Sequence, residues 1–180
     1  MRPYLLLTPG PLTTSETVKE AMMSDWCTWD EDYNVGIVEV IRKELVELAS
    51  SQPEDYTAVL MQGSGSFCVE ATLGSDIRTE DNLLVAANGA YGKRMGVIAD
   101  YYHLNYHVMK FDETQAVDPE AIDNYLDMHP EVTHVSVVHC ETTTGVLNPL
   151  EAIASVVKKH NKYLQPIITQ YFASNKSEIW

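Results

Sequence analysis

Three short segments carry residue types whose spacing suits the binding of a polar, anionic ligand. Gln62-Gly63-Ser64-Gly65-Ser66-Phe67 follows an apolar run and precedes a helical pattern. Glycines there let the backbone turn tightly and present its amides. Serine hydroxyls add donors, and the following helix adds partial positive charge at its first turn. Such a cradle holds a phosphate, although an ordinary glycine turn accounts for the same residues. The segment lacks the lysine of a P-loop, and Cys68 stands where a dinucleotide fingerprint wants glycine or alanine. Asn88-Gly89-Ala90-Tyr91-Gly92 ends another apolar run and hands an aromatic ring to a helix start. That ring either lies flat on a planar ligand or simply packs. His139-Cys140-Glu141-Thr142-Thr143-Thr144-Gly145 offers three hydroxyls and a glycine, either as hydrogen bonds to a polar ring substituent or as a threonine-rich turn.

The elements that must position these segments alternate. Val35, Val38, Ile41, Leu45 and Leu48 recur at three or four residues, one face of a helix that ends before Pro53-Glu54-Asp55. Ala58-Val59-Leu60-Met61 reads as a short buried strand, followed by a helix from Phe67 to about Ile77. Leu83 to Ala87 is a strand, about Tyr91 to Tyr102 a helix, and Tyr106 to Phe111 a strand. Asp118-Pro119 marks a helix start whose apolar face is Ile122, Tyr125 and Leu126. Val132 to His139 is a β-branched strand. Asn148-Pro149-Leu150-Glu151 opens a last helix, with Glu151 placed to complete a capping box, Ile153, Val156 and Val157 inward, and fraying near His160-Asn161. The alternation predicts an α/β fold in three layers, with a mostly parallel sheet covered on both faces. Ligands of such sheets bind at the carboxyl ends of the strands, where all three segments fall.

Composition narrows the partners. The 180 residues include 12 basic and 26 acidic side chains, for a net charge of −14, which repels phosphate backbones and argues against nucleic acid. No run is long enough for a membrane helix. Met1-Arg2-Pro3-Tyr4 leads into only three leucines, too short for a secretory leader, so a cytoplasmic location is expected. Cys27, Cys68 and Cys140 are scattered and odd in number, which reads as inert buried thiols in a reducing compartment. His103 and His107 have no third ligand nearby, and Trp26 to Tyr33 lacks the alternating spacing of a calcium loop, so no metal is expected.

Taken together the segments are far more specific. Leu5-Leu6-Leu7-Thr8-Pro9-Gly10-Pro11-Leu12-Thr13, Cys27-Thr28-Trp29-Asp30, Gln62 to Ser66, Asn88 to Gly92 and Glu141 to Gly145, in this order and spacing, resemble the 2-aminoethylphosphonate–pyruvate transaminase family. That family lies within the class V aminotransferases. The resemblance runs from about Tyr4 to Tyr163 and corresponds to about the first half of a family member. It implies the N-terminal half of the fold type I pyridoxal-phosphate transferase large domain: an arm at 1–15, a partial large domain at 16–163 and a divergent tail at 164–180. It also implies roles. Ser64, Gly65 and Ser66 would hold the phosphate of pyridoxal phosphate, Tyr91 would stack on its ring, and Thr142 and Thr143 would bond near its phenolic oxygen. Thr8, Pro9 and Gly10 would line the substrate side. The implied reaction moves an amino group from 2-aminoethylphosphonate to pyruvate, in phosphonate catabolism, by a homodimer.

The resemblance stops abruptly. Leu164-Gln165-Pro166-Ile167-Ile168 replaces the family strand that ends in Val-Asp-Ala. The aspartate that pairs with the pyridine nitrogen, the Schiff-base lysine and the substrate-binding arginine of the C-terminal domain have no counterparts. Ser174-Asn175-Lys176 comes too early to replace the lysine motif. A truncated or frame-shifted reading, inactive alone, is the expectation, with no positioned base for the proton shift. Two alternatives stand beside it: a non-catalytic partner of a full-length transaminase, and a small nucleotide-binding α/β module using Gly63 to Ser66.

Overall fold

Ser15 opens the first helix by accepting a hydrogen bond from the Val18 amide, one of the four donors a helix start leaves without partners. This helix, α1 (Glu16–Ala21), belongs to the first of two units, 1–60 and 61–180, of the computed structural model, which describes residues 4–8, 10 and 12–168. In the same unit α2 (Glu31–Tyr33) runs through a π-helical stretch, Asn34–Glu39, into α3 (Val40–Ala49). Arg42 on α3 holds the segment after the Pro53–Asp55 turn, donating to the Thr57 hydroxyl at 2.8 Å and the Ala58 carbonyl at 2.8 Å. Among its described residues this unit has no buried side chain. The apolar face predicted from Val35 to Leu48 therefore exists as a helix face but is left largely uncovered.

The second unit carries the sheet. In chain order it comprises α4 (Gly65–Asp76), β1 (Asn82–Ala87), α5 (Ala90–Tyr101), β2 (Asn105–Lys110), α6 (Pro119–Met128), β3 (His134–Val138), β4 (Cys140–Glu141), β5 (Val146–Leu147), α7 (Leu150–Lys159) and β6 (Tyr163–Ile167). Four strands pair in parallel in the order β2-β1-β3-β6, and β4 and β5 form a short antiparallel pair. Alternate residues of β1 face opposite ways. Leu84 and Ala86 join Val135, Val137 and the inner faces of α6 and α7, through Ile122, Leu126, Ile153 and Val157. Leu83, Val85 and Ala87 join Leu73 of α4 and Met95 and Ala99 of α5. Two cores on two sheet faces make the predicted three layers. Pro166 sits in β6, at the edge of the described sheet, where its missing donor is tolerated.

Three expectations fail for physical reasons. Ala58 to Met61 is not a strand and is mostly exposed. A strand exists only in a ladder, and among the described residues this segment pairs with no strand. Glu151 completes no capping box: the residue before α7 is Pro149, without a side-chain cap, and Asn148 is drawn into the interior instead. Cys27 and Cys68 are exposed rather than buried and Cys140 is half-buried; α4 packs through Val69 and Leu73 and turns Cys68 outward. Asp118 does cap α6, accepting from the Glu120 amide at 2.9 Å.

Candidate functional site

From β1 the chain passes through α5 to one side of the sheet, and from β3 through α7 to the other. The crevice between the carboxyl ends of β1 and β3 is thus a topological switch point, where open parallel sheets bind ligands. Asn88 to Gly92 and His139 to Gly145 both open onto it. Gln62 to Ser66 leads into α4, which lies on the same sheet face as α5.

Ser64 is the cap of α4, its hydroxyl accepting from the Phe67 amide at 3.3 Å. The amides of Gly65 and Ser66 come before the first intrahelical bonds and point out of the helix end. Ser66 Oγ accepts from Arg94 Nη1 at 2.6 Å. Arg94 lies three residues beyond Tyr91 and so on the same face of α5, and its guanidinium carbon is 5.3 Å from the Tyr91 ring centroid. No ion pair of Arg94 is found among the described residues, in a chain with 26 acidic side chains.

Glu141 links the other two segments. Its side chain is fully buried. Oε2 accepts from the amides of Tyr91 at 3.1 Å and Gly92 at 3.4 Å, and Oε1 accepts from the Thr143 hydroxyl at 2.7 Å. Gly89 must be glycine for this approach, since a Cβ would lie 2.2 Å from Glu141 Cγ. Gly145, at φ +77°, closes the loop, and the amides of Thr144 and Gly145 return to the Glu141 carbonyl. Beneath the loop Asn88 and Asn148 exchange two amide hydrogen bonds, at 2.9 and 3.1 Å. Burial holds the His139 imidazole below its ordinary value, opposed in part by the charge of Glu151.

The predicted site residues of the second unit therefore form one connected set: Ser64, Gly65 and Ser66, then Tyr91, then Thr143 with Thr142 beside it in the same turn. Thr8 and Gly10 lie in the first unit, and Pro9 lies outside the described residues, as does Ser174-Asn175-Lys176. Arg94, Glu141 and the Asn88–Asn148 pair were not singled out from sequence. The spacing of Tyr91 and Arg94 was the available signal for the arginine. For Glu141 there was none, because an acidic residue in a polar loop reads as exposed. His103 lies in the turn after α5 and His107 in β2, and neither belongs to a three-residue ligand group among the described residues. Among the described residues such a group is Asp123, Asp127 and His160, where Lys159 already bonds both Asp123 oxygens.

The donor set suits a phosphorylated planar ring: outward amides and a hydroxyl for a dianion, a cation beside them, an aromatic face, and hydroxyls across the crevice. The family model described as aminotransferase class-V matches residues 35–166. The chain is 65% identical over 164 residues to the 2-aminoethylphosphonate–pyruvate transaminase of Phocaeicola vulgatus, covering 91% of this chain and 45% of that protein. It is 59% identical over 159 residues to the Vibrio vulnificus enzyme of the same name, covering 88% and 43%. Among solved structures, pyridoxamine-pyruvate aminotransferase from Mesorhizobium loti superposes with a TM-score of 0.81 at 27% identity, over 99% of this chain and 45% of that one. Ureidoglycine-glyoxylate aminotransferase from Bacillus subtilis gives 0.80 at 26%, over 92% and 42%. The chain thus spans somewhat less than half the length of these relatives. No helix among the described residues is long and apolar enough to cross a membrane.

Proposed function

The chain belongs to the class V aminotransferase family, and on that premise we propose that it supplies the phosphate- and ring-holding half of a pyridoxal-phosphate site for amino transfer between 2-aminoethylphosphonate and pyruvate. The observation that carries this reading is the contact path from Ser66 through Arg94 to the Tyr91 ring, which sets an anion seat beside an aromatic platform.

The Gly65 and Ser66 amides and the Ser66 hydroxyl would take the phosphate, favoured by the positive end of α4. Tyr91 would hold the ring flat, with its backbone pinned by Glu141. Thr142 and Thr143 would meet the ring's polar edge. Bound pyridoxal phosphate supplies an electron sink for amino transfer. The residues described here bind and orient; among the 180 residues none matches the family's lysine, its pyridine-nitrogen aspartate or its substrate arginine. We therefore read the 180-residue chain as a binder of the cofactor without transaminase turnover of its own.

The test is a spectroscopic titration of the full chain with pyridoxal phosphate and with pyridoxal, beside an assay on 2-aminoethylphosphonate and pyruvate. Saturable binding, at least about tenfold weaker for pyridoxal and for Ser66→Ala, is expected from loss of charge-assisted hydrogen bonds. Equal affinity for the two compounds, or none for either, overturns the proposal. A borohydride-stable adduct on any lysine, Lys176 included, overturns the claim of non-covalent binding.

A further inference from the structure

In an open parallel sheet the helix that follows a strand at the switch point usually turns its first amides toward the phosphate of a ligand. Helix α5 stands at that place, twelve residues long and entered through glycine. Two amides of its first turn are already taken. Tyr91 N and Gly92 N both donate to Oε2 of Glu141, a residue that arrives from the end of β3, fifty positions away. The side chain has no exposed surface, and each of its three partners is a donor. The seat holds no spare volume either. A methyl group at position 89 would fall 2.2 to 2.7 Å from the Cγ, Cδ and Oε2 atoms of Glu141. The start of α4 is the opposite case: a Cβ at Gly65 would meet nothing within 4 Å.

We propose that Glu141 is a specificity-determining residue, a built-in anion that occupies the phosphate seat of α5 and closes the switch-point crevice to any external phosphate. A ligand with one phosphate is thereby confined to the seat at Ser64 to Ser66, and the diphosphate of a nucleotide finds no place on α5. The same carboxylate ties the backbone of Tyr91 to the Thr143 hydroxyl, so the two sides of the crevice keep a fixed separation. The assignment rests on Glu141, Gly89 and the α5 amides, and stands independently of which ligand the α4 seat takes.

Truncation of the side chain converts the filled seat into an empty one, which sets the experiment. Full-length wild type, Glu141→Ala, Glu141→Gln and the double variant Gly89→Ala/Glu141→Ala are melted in sodium chloride and in sodium acetate at equal ionic strength. The E141A protein melts lower than wild type by about 5 °C or more, as expected for amides left buried without an acceptor. Acetate recovers most of that loss in a saturable way. Wild type and E141Q, whose seats are filled, do not distinguish acetate from chloride. The double variant also ignores acetate, because the new methyl group takes the place of the carboxylate. Should E141A fail to fold in chloride, refolding in acetate is expected to restore its near-ultraviolet circular dichroism. A folded E141A indifferent to acetate, an unfolded E141A that acetate does not restore, or a double variant that still responds overturns the proposal.

Discussion

Asn148 joins three parts of the crevice through one amide. Its Nδ2 donates to Asn88 Oδ1 at 3.1 Å and to the Val138 carbonyl at 2.7 Å, and its Oδ1 accepts from Asn88 Nδ2 and from the Val117 amide. Every hydrogen-bonding position of the group is used, which is the condition under which a buried amide stabilises rather than costs. Asn148→Ala leaves several of these partners buried and unpaired, so it should lower unfolding stability by about 2–4 kcal/mol. Asn148→Asp should do comparable damage, since a second oxygen would face Asn88 Oδ1 and the Val138 carbonyl. Urea denaturation checks both, and a change below about 0.5 kcal/mol, the scale of ordinary surface substitutions, would contradict the account.

Between helices, α6 and α7 are clasped by charge as well as by Ile122, Leu126, Ile153 and Val157. Lys159 donates to both oxygens of Asp123 at 2.8 Å, and His160 Nε2 lies 2.6 Å from Oδ1. Lys159 first and His160 second hold the Asp123 carboxyl below its ordinary value of 3.8, while Asp123 holds the Lys159 ammonium above its own. The folded state therefore binds the Asp123 proton less readily than the unfolded state. The stabilisation this confers is complete above the ordinary carboxylate range and is lost as the pH falls through the lowered value. Comparing urea midpoints of wild type and Asp123→Asn from pH 7 downward should show a wild-type advantage that disappears in acid below about 4. An advantage unchanged at pH 2 would remove the clasp from consideration. The partly exposed setting keeps the expected effect small.

Among the described residues, the buried apolar side chains all lie in the second unit. Leu5, Leu7, Met23, Trp29, Val35 and Val59 are exposed, and 4–60 contain no buried side chain among the described residues. The strands β2 and β6 also bound the described sheet with one side of each unpaired. Relatives about twice as long match it over only 43–45% of their length. Uncovered apolar surface and sheet edges favour association and dye binding. The purified 180-residue chain is accordingly expected to enhance the fluorescence of anilinonaphthalene sulfonate at neutral pH and to elute larger than a 20 kDa monomer in a concentration-dependent way. A monomer at all concentrations that leaves the dye dark would refute this.

Local chemistry determined much of this protein without reference to its neighbours. The alternation of apolar runs with helical spacing, the Asp118-Pro119 start and the glycine-marked strand ends follow from short-range rules of burial, capping and turn geometry, and among the described residues they located every helix and strand of the second unit except the short β4–β5 pair and β6. The order of motifs from Leu5 to Gly145 was sufficient for the family. Tertiary structure alone decided the rest. Ala58 to Met61 has strand composition, but a strand depends on a ladder partner that no local pattern supplies. Asn148 has the chemistry of a cap and Glu141 that of a surface acid. Each is instead consumed by donors from segments fifty or sixty residues away, because burial makes an unpaired amide costlier than a bare helix end.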